Sequence, residues 1–443
     1  MRLTSARPAA TKIEKVLFVQ LIVTAILAVL AFGTVEPWSL AIFEINALVM
    51  AVFGGLLPLV DRKFEWRHFL PSLPLWLLLG WALLQVVPLG SGAGPAGLPE
   101  SLPLEQLRLR TISFDPQATR EAAAKLMALA IYFSVALIVL RDSARQRLAV
   151  RIFSVFGLAV SLLAIVQRLA WNGKLYWIRP VSAFVAPFGP YGNYNHFAGM
   201  VELLFPLPFA WLIFSRCRLD ERIFHGVAVA IMVAAAVLSM SRAGILSIGL
   251  QLLVFGAAMI PARRRAVLPL LIVPAAILLS LWVGYQPLQR RFSSIQYGTS
   301  EHSVVTRLAY WKASWQIFTD HPLTGVGLGA FPTVYPSYGS ASSRYERLEQ
   351  VHNDYLQLLT DLGLTGGVVM AIGLLAFIRR WYQTLSRGVI RRGEDLAIFL
   401  GALVAVIGIL LHSIFDFNLQ IPANALLALL MGAISVSSRL IAE

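Results

Sequence analysis

The sequence has little charge and almost no cysteine. Only 14% of its 443 residues are charged, 58% are apolar, and the mean hydropathy is +0.71. One soluble core cannot bury that much apolar surface, so the composition excludes an ordinary soluble domain and favours an integral membrane protein. The single cysteine, Cys217, excludes an internal disulfide.

Long polar stretches are also scarce, and apolar runs fill most of the chain. A hydrocarbon core of roughly 30 Å needs about 20 apolar residues per crossing helix. The pattern predicts an all-α polytopic integral membrane protein, with about twelve transmembrane helices in one membrane domain over residues 1–443. The expected spans lie near 16–35, 38–60, 69–89, 124–140, 151–170, 196–214, 223–240, 243–260, 267–285, 363–383, 396–414 and 421–438.

The distribution of basic residues predicts how these spans are oriented. With the N-terminus inside and all twelve spans crossing, 23 of the 37 Lys and Arg residues lie inside, where every short loop is basic. This arrangement predicts cytoplasmic N- and C-termini. Topology and contact with anionic membrane lipids then explain the net charge of +14, so nucleic acid is not expected as a partner.

Two of the expected outer segments are long. Residues 90–121 form the first outer loop, and residues 286–362 form a larger one, well beyond an ordinary connection. Within the larger loop, the spacing of Leu308 and Trp315 predicts an amphipathic helix over about 303–319 that lies at the membrane interface. We expect the larger loop to carry part of a functional site.

Polar side chains gather on the same predicted face. The stretch VHNDYLQLLTDLGLTGG, residues 351–367, predicts a short helix leading into the tenth span, with His352 and Asn353 at its start. Such a histidine can exchange protons near neutral pH, and a capping residue is the alternative. Three further segments are predicted on this face and contain Asn193, Asn195 and His196; Gly325, Gly327 and Gly329; and His412, Asp416 and Asn418.

Two arginines add to this face. Arg242 lies inside an apolar region, where a guanidinium costs at least about 2.5–3.5 kcal/mol, so we expect it to have a partner or a function. Its alternatives are snorkelling or pairing with an acid such as Glu202, and for Arg307 the alternative is solvation. No H-x-x-x-H, H-E-x-x-H or D-x-D pattern occurs, so neither a metal site nor a cofactor is expected.

Together these motifs resemble the O-antigen ligase family. HNDYLQLLTDLGLTG fits that family's pattern H-[NSQ]-x9-G-x2-[GTY], and NYNHFAG, SRAG, R-x3-W from Arg307, HPLTGVGLGAF and HSIFDF follow the family's order between about residues 150 and 425. The resemblance implies a GT-C-like, metal-independent, inverting membrane glycosyltransferase. It would take a glycan from undecaprenyl diphosphate at the periplasmic face of the bacterial inner membrane, with a sugar hydroxyl of lipid A-core as acceptor.

The same resemblance implies roles for individual residues. His352 would be the general base that deprotonates the acceptor hydroxyl, and Arg242 and Arg307 would bind the diphosphate. Asp416 would hold His352 or an arginine in place. Substrate-binding roles, with local packing or helix capping as the alternative for several, are expected for Asn193, Asn195, His196, Tyr310, Asn353 and Asp416.

Other functions stay open at this point. An O-antigen or exopolysaccharide polymerase would use the same lipid-linked donor and extend a growing glycan, and the same superfamily includes protein O-oligosaccharyltransferases. A polysaccharide transporter would need ionisable residues along several spans and repeat-related broken helices. Here the ionisable residues lie mainly at one face, so an enzyme is favoured over a transporter, and the full motif favours a ligase.

Overall fold

The computed structural model of the chain describes residues 8–60, 64–89, 111–181, 187–259, 302–339, 350–386 and 393–437. These ranges are nearly all helical, apart from loops and one small antiparallel hairpin, β1 (Lys174–Leu175) and β2 (Arg179–Pro180). The helices are α1 (Pro8–Leu30), α2 (Pro37–Val60), α3 (Leu73–Gln85), α4 (Pro116–Val139), α5 (Ser143–Leu169), α6 (Tyr194–Leu204), α7 (Pro206–Phe214), α8 (Leu219–Leu238), α9 (Arg242–Met259), α10 (His302–Asp320), α11 (Phe331–Val334), α12 (Asp354–Ser386), α13 (Glu394–His412) and α14 (Pro422–Ser437).

The expected polytopic all-α membrane architecture is confirmed. In the described ranges, ten helical stretches are long and apolar enough to cross a membrane, and α14 is a shorter apolar helix. Ten of the twelve expected spans therefore have a counterpart, and the last expected span corresponds to α14. The ninth expected span, 267–285, lies outside the described residues.

Two helices begin earlier than hydropathy predicts. α4 begins at Pro116 rather than near residue 124, because the Asp115 carboxylate caps it by accepting from the Ala118 N–H at 3.0 Å. α5 begins at Ser143 behind a similar cap from Asp142. The expected first outer loop, 90–121, is therefore too long at its C-terminal end, and its residues 90–110 lie outside the described ranges.

The sixth expected span is two helices rather than one. α6 and α7 meet at Phe205 and Pro206, where proline has no N–H to continue the helical ladder. Almost all of this stretch is buried, and α6, α7, α13 and α14 form the centre of the bundle. By contrast α2 exposes many apolar side chains, as a helix facing lipid does.

The tenth span continues directly from the short helix expected before it. α12 contains both segments, and they are joined at Gly363, whose φ of 63° and ψ of −165° are not helical. A side chain here would collide with the backbones of Leu323 and Gly325. Glycine is therefore required where the short helix turns into the span.

The two ends of the bundle differ in their contacts. At one end Arg145 pairs with Glu14 at 2.8 Å and Arg147 with Glu394 at 3.6 Å, and we call this the basic end. The opposite end holds the start of α12 and the segment 412–420, and we call it the site end. Among the described residues, the segments around His196, His352 and Asp416, which are expected on one face, meet at the site end.

Candidate functional site

His352 and Asp416 are 64 residues apart in the sequence and meet at the site end. His352 Nδ1 lies 3.2 Å from Asp416 Oδ1, and the Arg307 guanidinium (Nη2) lies 3.7 Å from Asp416 Oδ2. α10 supplies the arginine, the start of α12 the histidine and the α13–α14 connection the carboxylate. The structure therefore brings together three of the residues singled out in the sequence.

The backbone at His352 has an uncommon conformation. Its φ of 58° is left-handed, which costs a non-glycine residue about 1–2 kcal/mol. The helix cap belongs to the next residue, because Asn353 Oδ1 accepts from the N–H groups of Tyr355 and Leu356, both at 3.0 Å. The interpretation of His352 as the capping residue is wrong, and the amide oxygen of Asn353 is used by the helix.

Aromatic rings enclose the imidazole on two sides. The Phe417 ring lies edge-on with its centroid 4.7 Å from that of His352, and the Tyr310 ring lies nearly parallel at 6.3 Å. Tyr310 is itself buried against Tyr335. The side chain of His352 nevertheless stays 24% exposed, so a bound molecule can reach it.

Asp416 is the electrostatic centre of the cluster, and its side chain is fully buried. Burial alone would raise the pKa of its carboxyl. The hydrogen bond with His352 and the positive charges nearby, including Arg307, lower this pKa below its ordinary value. An ionised Asp416 can only accept, so Nδ1 of His352 carries the proton and donates it in the hydrogen bond. In the neutral ring, Nε2 is then free of a proton and can accept one.

A second pair lies deeper at the same end. His412 Nδ1 lies 2.7 Å from Glu202 Oε1, and both side chains are fully buried. In the sequence Glu202 was an alternative partner for Arg242, but here it contacts the histidine. Asp416 is joined to this pair through its N–H, which donates to the His412 carbonyl at 3.1 Å.

Arg242 is the first residue of α9 and lies at the site end. A tight turn precedes it, with Met240 at a φ of 62°. Two residues later, Gly244 packs so closely on α6 that a Cβ there would lie 2.6 Å from the Ala198 Cβ and 3.2 Å from Glu202 Oε1. The expected tight turn between the seventh and eighth spans is present, and Arg242 directly follows it.

The Asn193 to His196 segment forms a wall behind the Asp416 loop. Asn193 caps α6 by accepting from the Asn195 N–H at 2.8 Å, which is a local structural role. His196 is buried, with its ring 4.8 Å from that of Phe417, and its carbonyl accepts from Asn424 Nδ2 at 2.9 Å. Of these residues, His196 lies next to the cluster through Phe417.

The glycine-rich segment after α10 is a packed turn. The N–H of Gly327 donates to the Asp361 carbonyl and that of Gly329 to Asp361 Oδ2, both at 3.0 Å. These donors are already used, so an anion-binding role for this turn is not supported. His321 packs edge-on against Phe114 at 4.9 Å, away from the cluster.

Two residues of the site were not singled out in the sequence. Phe417, a wall of the imidazole pocket, ends the HSIFDF motif but was assigned no role there. Asp354 lies within the quoted motif but was passed over in favour of its neighbours. Within the described ranges, no group of three or more His, Cys, Asp or Glu side chains is arranged to hold a metal ion.

The fold and the site define a multi-pass membrane protein with a buried carboxylate, a histidine and an arginine meeting at one end of its helix bundle. A family model described as O-antigen ligase matches residues 227–371, which is 145 of the 443 residues. Over that segment the chain is similar to the O-antigen ligase family. This family has a ligase or polymerase type of function and acts on lipid-linked glycans in a membrane. No curated protein sequence matches the chain.

The matched segment and the site overlap only in part. The match includes Arg242, Arg307, Tyr310, His352 and Asn353. Asp416 lies beyond it, as does the segment from Asn193 to His196. The structure thus joins a residue of the matched segment, His352, to a carboxylate that the family model does not reach.

Proposed function

We propose that this chain is a glycosyltransferase of the ligase type. It transfers a glycan from undecaprenyl diphosphate to a sugar hydroxyl of lipid A-core, at the periplasmic face of the bacterial inner membrane. The observation that carries this proposal is the contact of His352 and Arg307 with one buried carboxylate, Asp416. The site end is then periplasmic, the basic end cytoplasmic, and the bundle GT-C-like.

His352 acts as the general base in this proposal. The Asp416 carboxylate accepts a hydrogen bond from the Nδ1–H group, with Nδ1 3.2 Å from Oδ1, and this fixes the tautomer. Nε2 then takes the proton of the acceptor hydroxyl. The resulting imidazolium is stabilised by the same carboxylate. This arrangement places an accessible base, His352, next to the carboxylate that orients it.

The arginines act on the donor. The acceptor oxygen attacks the anomeric carbon, the bond from that carbon to the diphosphate oxygen breaks, and its electron pair leaves with the diphosphate. A guanidinium suits this growing charge because it donates paired hydrogen bonds to phosphate oxygens. Arg307 and Arg242 supply the positive charge, so the reaction needs no metal ion, and direct displacement inverts the anomeric centre.

Arg307 lies between the two reactants in this scheme. Its guanidinium is 3.7 Å from Asp416 Oδ2, which is longer than a hydrogen bond, and its side chain is 28% exposed. The Arg307 guanidinium therefore lies near the base, but it is not tied to the carboxylate by a short hydrogen bond. Its remaining N–H groups are available to phosphate oxygens beside the acceptor hydroxyl.

Transfer by purified protein tests the proposal. A defined undecaprenyl-diphosphate glycan is supplied with lipid A-core, or with further donor alone, to the wild type and to the His352→Asn and Arg307→Gln variants. We expect glycan on lipid A-core, loss of transfer in both variants, and full activity in excess chelator. Extension of the donor alone would instead identify a polymerase. Transfer by the His352→Asn variant would refute the catalytic role of His352. Loss of activity in chelator that a divalent ion restores would refute the metal-free step.

A further inference from the structure

Asp354 contacts both ends of the segment that carries Asp416. Its backbone N–H donates to the Ser413 carbonyl at 2.9 Å, and its Oδ2 accepts from the Leu419 N–H at 3.1 Å. In the sequence Asp416 lies midway between those two contacts. The two hydrogen bonds therefore bracket the residue whose carboxylate meets His352.

Asp354 is also joined to His352 by the chain itself. It is the first residue of α12, two residues after His352. Any shift of Asp354 against segment 413–419 therefore changes the distance between the imidazole and the Asp416 carboxylate. Asp354 is only 7% exposed, so it lies below the surface that a substrate reaches.

The direct contact between His352 and Asp416 is a weak constraint by itself. Its 3.2 Å is at the long end of the hydrogen-bond range, and the side chain of His352 is partly exposed. Small misplacements of a reacting group can cost about 10²-fold in rate. The site therefore depends on what fixes the segment that carries Asp416.

From these contacts we propose that Asp354 is a positioning residue that holds Asp416 opposite His352. This inference rests on the proposed function, because it concerns the geometry of the proposed base. Asp354 acts through its backbone N–H and one carboxylate oxygen. It neither takes the proton nor touches the substrate.

Asp361 provides a matched control on the same helix. It is seven residues later, equally buried at 3% exposure, and its Oδ2 also accepts a backbone N–H, that of Gly329 at 3.0 Å. The same oxygen also accepts from Gln357 Nε2 at 3.0 Å, and neither contact reaches segment 413–419. A general effect of removing a buried acid from the first turns of α12 would therefore appear at both positions.

The experiment compares kcat and KM for transfer in folded, purified variants. Asp354→Ala and Asp354→Leu both remove the carboxylate oxygen that accepts from the Leu419 N–H. The leucine also fills the space, which favours a folded variant that lacks this hydrogen bond. Asp354→Asn keeps an oxygen for the Leu419 N–H. In Asp354→Ala and Asp354→Leu we expect kcat to fall about 10- to 100-fold and KM to change little. Asp354→Asn should keep most of the activity. Asp361→Ala should lower thermal stability but not kcat.

A double variant gives the sharpest result. If Asp354 acts through Asp416, then Asp354→Ala lowers kcat in the wild type but hardly at all in an Asp416→Ala background. An equal loss in both backgrounds overturns the inference, and so does wild-type kcat in folded Asp354→Leu or an Asp354→Asn variant as poor as Asp354→Ala. Activity of His352→Asn would contradict the proposed function instead, so the two failures are distinguishable.

Discussion

The two ends of the bundle use charged residues in different ways. At the basic end the pairs keep some exposure: the side chains of Arg151 and Glu221 are 61% and 36% exposed, and those of Arg145 and Glu14 are 13% and 30% exposed. At the site end Asp416 is fully buried and is shared by a histidine from the loop before α12 and an arginine from α10. The carboxylate at the site end is therefore more deeply buried than the paired acids at the basic end.

This difference has an energetic consequence. Exposed ion pairs contribute about 0–1 kcal/mol to stability, whereas removing one partner of a buried pair costs about 3–5 kcal/mol. Buried groups are retained at the site end although apolar residues would pack there without that risk. On the proposed function, the site end serves the chemistry and the basic end serves orientation in the membrane.

The largest expected effect is on turnover, from His352→Asn. Asparagine tolerates the left-handed backbone found at φ 58°, so the variant removes the imidazole without adding strain. We expect the rate of glycan transfer to fall by about 10² to 10⁴-fold, the usual contribution of a general base. Initial rates with a defined lipid-linked donor measure this.

His321→Asn is the control for this variant. His321 is also at the site end but packs against Phe114 rather than near Asp416. Its substitution should leave the transfer rate unchanged. Equal losses at both histidines would mean that the cluster has no special place in the reaction.

The next largest effect is on stability, from Glu202→Ala. The change leaves the buried His412 Nδ1 without its partner at 2.7 Å, which we expect to cost about 3 kcal/mol. Removing both partners should cost less than the sum of the single changes. The free energy of unfolding in mixed micelles measures this, with Glu394→Ala at the basic end as the exposed control.

The fold was largely predictable because apolar run length reports membrane crossing. α2 was expected at 38–60 and is Pro37–Val60. The early starts of α4 and α5 were missed because their first turns are polar yet strongly helix-forming, and hydropathy does not measure helix propensity. The break between α6 and α7 had a signal in Pro206, which a count of apolar residues ignores.

The site was predictable in part. Local chemistry and topology indicated that His352, Asp416 and Arg307 share a face, but not which of them touch. The contact of His352 with Asp416 joins segments 64 residues apart, and no local pattern contains that distance. Asn353 and Asp354 show most clearly what local sequence cannot predict. They are adjacent and polar, yet Asn353 caps the helix whereas Asp354 contacts segment 413–419, because different groups pack against each.

A smaller effect concerns the pH dependence of stability at Asp416. Its folded pKa lies below its ordinary value, so the unfolded chain binds the proton first as pH falls. The carboxylate therefore contributes stability above the ordinary Asp pKa of about 3.9, and this is lost progressively as pH drops below it. The melting temperature of Asp416→Asn should lie below that of the wild type at pH 7, and the gap should narrow in acid.

A gap that stayed constant or widened in acid would show that Asp416 contributes through packing rather than through its charge. Asp320 provides the comparison, since it is exposed at the end of α10 and accepts a hydrogen bond from the Tyr338 hydroxyl at 2.8 Å. Asp320→Asn should leave the melting temperature nearly unchanged at both pH values.

The smallest effect is expected at the basic end, from Arg151→Gln. The pair with Glu221 is long and exposed, so we expect a loss of no more than about 1 kcal/mol, reduced further by salt. Transfer activity should stay at the wild-type level, because Arg151 lies at the far end of the bundle from His352. If Arg151→Gln instead destabilised the protein as much as Glu202→Ala, charge at the basic end would be structural as well, and burial would not be what separates the two ends.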